Sequence, residues 1–233
     1  MGPEHRPRTE LTDVLLPLTI AFVLYFGTLT APFLYDDYLY IADNPQIREV
    51  TNLPLVWVSP YHEAGLYRPV TSSSYLIDYF FYQLDPRGFH ASNLMFYLAT
   101  IAAFFGLIRA LGGNRWETLA ATALFAAHPV HTEAVSWIVG RAEILAGLFC
   151  ILAFIFWIRF RKTDRMPYLI LTCLAYFLAL GAKENAAPLP AVLLLGEALG
   201  LIRSEDPAKS LTRRLRPLLS YFVILGSVFL STA

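Results

Sequence analysis

Two carboxylates stand side by side in Phe33-Leu-Tyr-Asp-Asp-Tyr38. Adjacent acids repel, so one of Asp36 and Asp37 can hold a raised pKa and act as a general base or acid; a solvated loop or helix cap is the competing reading. A second cluster, His128-Pro-Val-His-Thr-Glu133, offers two imidazoles and a carboxylate, with Pro129 biasing His128 out of any helix. His128, His131 and Glu133 could ligate a metal, but their spacing matches no strong zinc signature, so hydrogen bonding within the loop is preferred and no metal is expected. Cys150 and Cys173 each sit inside an apolar run, which leaves neither a disulfide framework nor a thiolate zinc site. Arg141, Lys183 and Arg68 complete the set. The first two lie at the ends of apolar runs, where a cation without an anionic partner is costly. A lipid phosphate would satisfy them. So would snorkelling to headgroups, or pairing of Arg141 with Glu143 and of Lys183 with Glu184. Glu197 is read as an interfacial charge.

The elements that must position these residues are membrane spans. Of 233 residues, 56% are apolar or aromatic and 15% charged, against about 25% charged in a soluble domain. The 18 basic and 18 acidic residues cancel, which removes the positive excess that a nucleic-acid binder uses against phosphates. At about 1.5 Å per residue, the runs 11–30, 93–111, 142–158, 167–182, 186–202 and 218–233 are candidates to cross a bilayer, with a shorter one at 116–127. A cleaved signal peptide is the rival reading of the first run. No internal repeat or low-complexity linker divides the chain, so 1–233 reads as one domain. Residues 31–92 are too long for a plain connection. Ile47, Val50, Leu53 and Trp57 suggest one interfacial helix there, and Val70 to Leu84 a second, Tyr-rich one.

Charge decides whether that second helix crosses. If it stays on one side, 13 of the 18 Lys and Arg fall on the side of the N-terminus and 5 (Arg48, Arg68, Arg87, Arg141 and Lys183) on the other. If it crosses, the split inverts. The positive-inside rule selects the first arrangement: seven spans, a cytoplasmic N-terminus, and an extracytoplasmic loop at 31–92 carrying two juxtamembrane helices. Asp36, Asp37, Arg68, His90, His128, His131, Glu133, Arg141, Lys183 and Glu184 then all fall on the outer face. A membrane protein with its reactive side chains on one face does its chemistry there.

Several segments together resemble a known family. Phe33-Leu-Tyr-Asp-Asp-Tyr38 with Asn44-Pro45, Tyr67-Arg-Pro69, Gly88-Phe-His-Ala-Ser-Asn93, Ala127-His-Pro-Val-His-Thr-Glu-Ala134, Gly140-Arg-Ala-Glu143 and Ala182-Lys-Glu184 look like the N-terminal module of the transmembrane and tetratricopeptide-repeat O-mannosyltransferases. These belong with the protein O-mannosyltransferases among the GT-C membrane glycosyltransferases, and the resemblance runs from about residue 14 to 202. It implies an all-α GT-C helix bundle in a bacterial inner membrane or endoplasmic reticulum membrane. It implies inverting transfer of a sugar, commonly mannose, from a polyprenyl-phosphate donor to Ser or Thr hydroxyls of a protein acceptor, with no cofactor beyond that donor. The family's catalytic acid follows the first span, a position held here by Asp36 with Asp37 as the alternative. Lys183, Arg141 and Arg68 would hold the donor phosphate, with His90, His128, His131, Glu133 and Glu184 as supporting polar groups. The chain departs from the family in lacking a tetratricopeptide array and in stopping at Ala233 within an apolar run, so a fragment is expected. A GT-C transferase acting on a lipid or glycan is the alternative enzyme. A transporter or lipid-binding protein is the alternative outside enzymes, and it would require more ionisable residues inside the spans.

Overall fold

The computed structural model describes residues 11–60 and 65–202, and among these every regular element is helical. Helix α1 (Leu15–Tyr25) is continued by tighter turns into one apolar rod, Thr12–Thr30. After a π turn at Tyr38–Ala42 and two short turns come α2 (Leu53–Val58), α3 (Pro69–Tyr82) and α4 (Pro86–Ala110). Then follow α5 (Arg115–Ala127), α6 (His131–Ser136), α7 (Arg141–Thr163), α8 (Met166–Ala182) and α9 (Leu189–Ala198).

Local chemistry sets the boundaries. Pro86 takes the first position of α4, where its missing N–H costs nothing, and the Asp85 side chain accepts from Arg87 N at 3.0 Å. Helix α4 therefore starts at Pro86 instead of at 93, and Gly88 to Ser92 belong to it and not to the preceding loop. Helix α5 opens on a reciprocal cap between Asn114 and Glu117. The expected interfacial helix through Ile47 and Trp57 breaks into short turns and α2, because Pro45 and Pro54 each begin a new turn and cannot continue an old one. The Tyr-rich helix forms, as α3.

Helices Thr12–Thr30, Pro86–Ala110 and Ile138–Thr163 are long and apolar enough to cross a membrane, and α8, of 17 residues, is a shorter apolar helix. The fold is an all-α membrane helix bundle. Helices α5, at 13 residues, and α9, at 10, would cover only about 20 and 15 Å of a hydrocarbon layer about 30 Å thick. The run expected at 218–233, and the cations at Arg6, Arg8 and from Arg203 onward, lie outside the described residues.

Helix α3 lies across one end of the bundle. Its Thr71 hydroxyl donates to Ala182 O at the close of α8, Tyr75 to Ile138 O just before α7, and Asp78 meets Arg141 at the start of α7 and Ser92 near the start of α4. Ile77, Phe80 and Phe81 remain exposed on its far side, as expected of an aromatic face at the headgroup level. Beneath it Ile41, Ile47, Val56, Leu76, Phe89 and Ile138 form a buried cluster that ties the loop after α1 to the bundle. A larger core joins α7, α8 and α9 around Trp157, Ala179 and Leu193.

Candidate functional site

The two adjacent acids have opposite surroundings. The backbone turns sharply before them, with Tyr35 in the left-handed region at φ 45°, a conformation that a bulky residue keeps only when its surroundings enforce it. The enforcement comes from Asp37. Fully buried, it accepts from Leu34 N and Val139 N, each at 3.0 Å, and so ties the turn to the start of α7. Burial pushes its pKa up to about 6; the two backbone N–H groups and Arg141 pull down, and Asp36 adds to the rise. Asp36, one residue earlier, is exposed and faces a cavity of about 610 Å³.

That cavity gathers side chains from distant parts of the chain: Asp36, Arg68, His131, Glu133, Glu143 and Lys183, with Tyr40, Leu66, Val130 and Trp137 among its less polar walls. Its floor depends on a close approach. A Cβ at Gly140 would stand 2.6 Å from Ala134 O, so only glycine lets the turn into α7 pack against α6. Lys183 pairs with Glu143, which also accepts from Asn185 at 2.7 Å. Arg68 grips Glu184 through two hydrogen bonds, Nε at 3.0 Å and Nη2 at 2.7 Å, and holds the Glu184 carboxyl below its usual range. A second cavity of about 560 Å³, between Leu34–Tyr35 and Thr132–Trp137, shares Asp36, Glu133 and Trp137 with the first. Asp36 thus stands in the wall between two spaces.

Besides Asp37, four of the residues singled out by sequence lie outside the cavity wall. Arg141 is completely buried, facing Asp78 at 2.6 Å, Asn93 Oδ1 at 2.6 Å and Phe89 O at 2.8 Å, and it does not line the cavity. His90, on α4 beside the Ala31 and Pro32 carbonyls, is also fully buried and away from the cavity. His128 ends α5 and turns back on its own chain, its Nδ1 accepting from Val130 N at 3.2 Å. Glu184 stands outside the cavity wall as the partner of Arg68. The ion pairs differ from those the neighbours in sequence suggested: Arg141 takes Asp78 and not Glu143, and Lys183 takes Glu143 and not Glu184. His131 packs on the Phe125 ring at 4.5 Å, where burial pushes its pKa down, and among the described residues no three metal-ligating side chains come together. Sequence reasoning missed Asp78, Asn93 and Asn185. Only Asp78 carried a signal: a lone acid in an apolar, aromatic helix requires a partner.

Helices long and apolar enough to span a bilayer define an integral membrane protein, and the cavity lined by Asp36, Arg68 and Lys183 is its candidate site. Comparison narrows this class. The chain is 36% identical over 185 residues to the protein O-mannosyl-transferase Tmtc1 of Drosophila melanogaster, covering 76% of this chain and 21% of that protein. To Tmtc2 of the same organism it is 32% identical over 243 aligned positions, 97% of this chain and 25% of the relative. To human TMTC3 the identity is 30% over 163 residues, 66% of this chain and 18% of the relative. No family model matches the chain. No solved structure matches it either. The chain belongs to the transmembrane and tetratricopeptide-repeat O-mannosyltransferase family. It spans between 21% and 25% of the length of the two fly relatives.

Proposed function

We propose that the chain is the membrane-embedded module of an enzyme that moves mannose from a polyprenyl-phosphate donor to Ser or Thr hydroxyls of proteins, on the extracytoplasmic face. The observation that carries this reading is the sharing of one cavity by Asp36, Lys183 and Arg68, at the end of helices long enough to span a bilayer. Asp36 accepts the proton of the acceptor hydroxyl while the hydroxyl oxygen forms a bond to the anomeric carbon. The bond from that carbon to the phosphate oxygen breaks on the opposite side, which inverts the configuration. The polyprenyl phosphate leaves with its negative charge held by Lys183 and Arg68. The Asp37 bonds to Leu34 and Val139 favour it as the residue that aims Asp36, and the burial of Arg141 favours a positioning role for it as well. The extracytoplasmic assignment is supported by α3 lying across the bundle end, an arrangement in which 13 of the 18 Lys and Arg fall on the side of the N-terminus.

The test is Asp36→Asn in membranes carrying the full-length protein. The substitution keeps size and removes the basic lone pair, so mannose incorporated on protein Ser and Thr should fall by roughly 10²- to 10⁴-fold with donor binding unchanged. Turnover within about threefold of wild type, at equal protein level, would remove Asp36 from the chemistry, since a general base contributes roughly 10²-fold or more. Mannose recovered in lipid instead of protein would transfer the assignment to the lipid-modifying alternative.

A further inference from the structure

The opposite end of the bundle holds a second charged cavity that the transfer reaction does not use. It has a volume of about 580 Å³ and lies among the end of α4, the end of α7 and the start of the α1 rod. Along α7, from Glu143 to Arg159, about 24 Å of helix separates it from the Asp36 cavity. Three cations line it: Arg109 in the last turn of α4, and Arg159 and Lys162 in the last turns of α7. No carboxylate of the described residues does. The acids nearby are committed elsewhere, Asp13 to Arg115 at 2.8 Å and Glu197 to Arg161 at 2.5 Å, and Asp164, which closes α7, is not part of the wall. Among the described residues Arg109 and Arg159 have no ion-pair partner, whereas Lys162 donates to Ala110 O at 2.7 Å and so closes the end of α4. The remaining wall is apolar, with Ala102, Phe105 and Gly106 contributed by the spanning helix α4.

We propose that this cavity binds the headgroup of an anionic glycerophospholipid. A concave site with three cations and, among the described residues, no acid favours a ligand with excess negative charge, and it differs in that respect from scattered cations, which snorkel to any headgroup. The apolar wall and the position at the end of two spanning helices select a lipid over a soluble phosphate, because acyl chains can continue along α4 where a free anion would have only apolar contacts. The guanidinium forks of Arg109 and Arg159 suit phosphate oxygens. The inference is independent of the transfer reaction.

Titration of the purified chain with phosphatidylglycerol and with phosphatidylcholine, read by native mass spectrometry, tests it. Arg109→Gln with Arg159→Gln should weaken the first bound phosphatidylglycerol by roughly 10- to 100-fold and leave phosphatidylcholine unchanged. Arg165→Gln, a cation of the same end outside the cavity, should change neither, and inorganic phosphate should not displace the lipid. Should the double variant lose its helical content, Arg159→Gln alone is read in the same way, with about a tenfold loss expected. Unchanged phosphatidylglycerol affinity in the variant would overturn the proposal. An equal loss in Arg165→Gln would reduce the effect to general surface charge, and displacement by inorganic phosphate would make the site one for a soluble anion; either result also overturns it.

Discussion

Breaking the Arg141–Asp78 pair tests whether Arg141 positions the site or holds the donor. The Arg141 guanidinium is fully buried, meets Asp78 at 2.6 Å, donates to Asn93 Oδ1 at 2.6 Å, Phe89 O at 2.8 Å and Ser74 Oγ at 3.3 Å, and lies 4.7 Å from the Tyr75 ring centroid. Removing one member of such a pair strands the other in a low-dielectric interior, a loss of about 3 to 5 kcal/mol, whereas replacing both by apolar groups of similar volume is close to neutral. Asp78→Leu and Arg141→Met should each destabilise by that amount, and the double variant by less than either single one. Thermal or denaturant unfolding in detergent micelles, arranged as a double-mutant cycle, measures the coupling. Under the proposed reaction the folded double variant should bind a polyprenyl-phosphate donor as wild type does and lose turnover instead. The reason is connectivity: Arg141 anchors the turn whose Val139 N–H holds Asp37, the residue that under the proposed reaction aims Asp36. Additive losses, or an Asp78→Leu loss below about 1 kcal/mol, would show that the pair is not the strut described. A donor affinity weakened by more than about tenfold in the folded double variant would return Arg141 to phosphate binding.

Two further outcomes are expected. Lys183→Ala should weaken donor binding by roughly 10- to 150-fold, the worth of one charge-assisted contact, and unchanged affinity would leave Lys183 as only the partner of Glu143. Asp37, whose folded pKa of about 6 exceeds the ordinary 3.8, binds its proton more tightly in the folded state. Its contribution to stability is therefore full below about pH 4 and is lost as pH rises through about 6, a change of at most about 3 kcal/mol. Unfolding midpoints of wild type and Asp37→Asn across that window should show the slope in wild type alone, and parallel profiles would show that Asp37 does not carry it.

How far the sequence could be read follows from which forces act locally. The three long apolar helices and α3 were legible because long apolar runs and an aromatic, Pro-initiated segment carry their own signal. The start of α4 was not, since Gly88-Phe-His-Ala-Ser-Asn93 has no apolar run and its helix is fixed by the Asp85–Pro86 cap and by Ser92 and Asn93 bonding across to Asp78 and Arg141. Pairing failed for a geometric reason. Residues one or two apart on a helix point in different directions, so Glu143 could not face Arg141, and the true partner Asp78 is brought in by α3 crossing the bundle end. The gathering of Asp36, His131, Glu133 and Lys183 on one face was legible from charge counting, because a topology with few spans leaves only two faces to choose between. Which of them line a common cavity was not, and His90, His128 and Arg141 dropped out because burial or a local turn took their polar groups.

The Asp36–Asp37 division bears on how a donor could enter. Before any ligand arrives, both cations of the cavity are neutralised, Lys183 by Glu143 and Arg68 by Glu184. The carboxylates are the more accessible members, with side chains 43% and 64% exposed against 23% for Lys183 and 10% for Arg68. The Lys183–Glu143 pair, open to water on both sides, is worth about 0 to 1 kcal/mol, so exchanging its carboxylate for a phosphate oxygen has a small cost. The displaced Glu184 can swing into solvent, while Arg68, nearly buried, stays in place and keeps its geometry. Under the proposed reaction the cavity therefore holds its cations pre-aimed without an unpaired buried charge. Of the adjacent pair, Asp36, exposed and free of the clamp that engages Asp37, is the one that can meet the proposed acceptor. The two acids cannot exchange these roles without breaking the turn, because the left-handed Tyr35 and the Val139 bond fix which of them points outward.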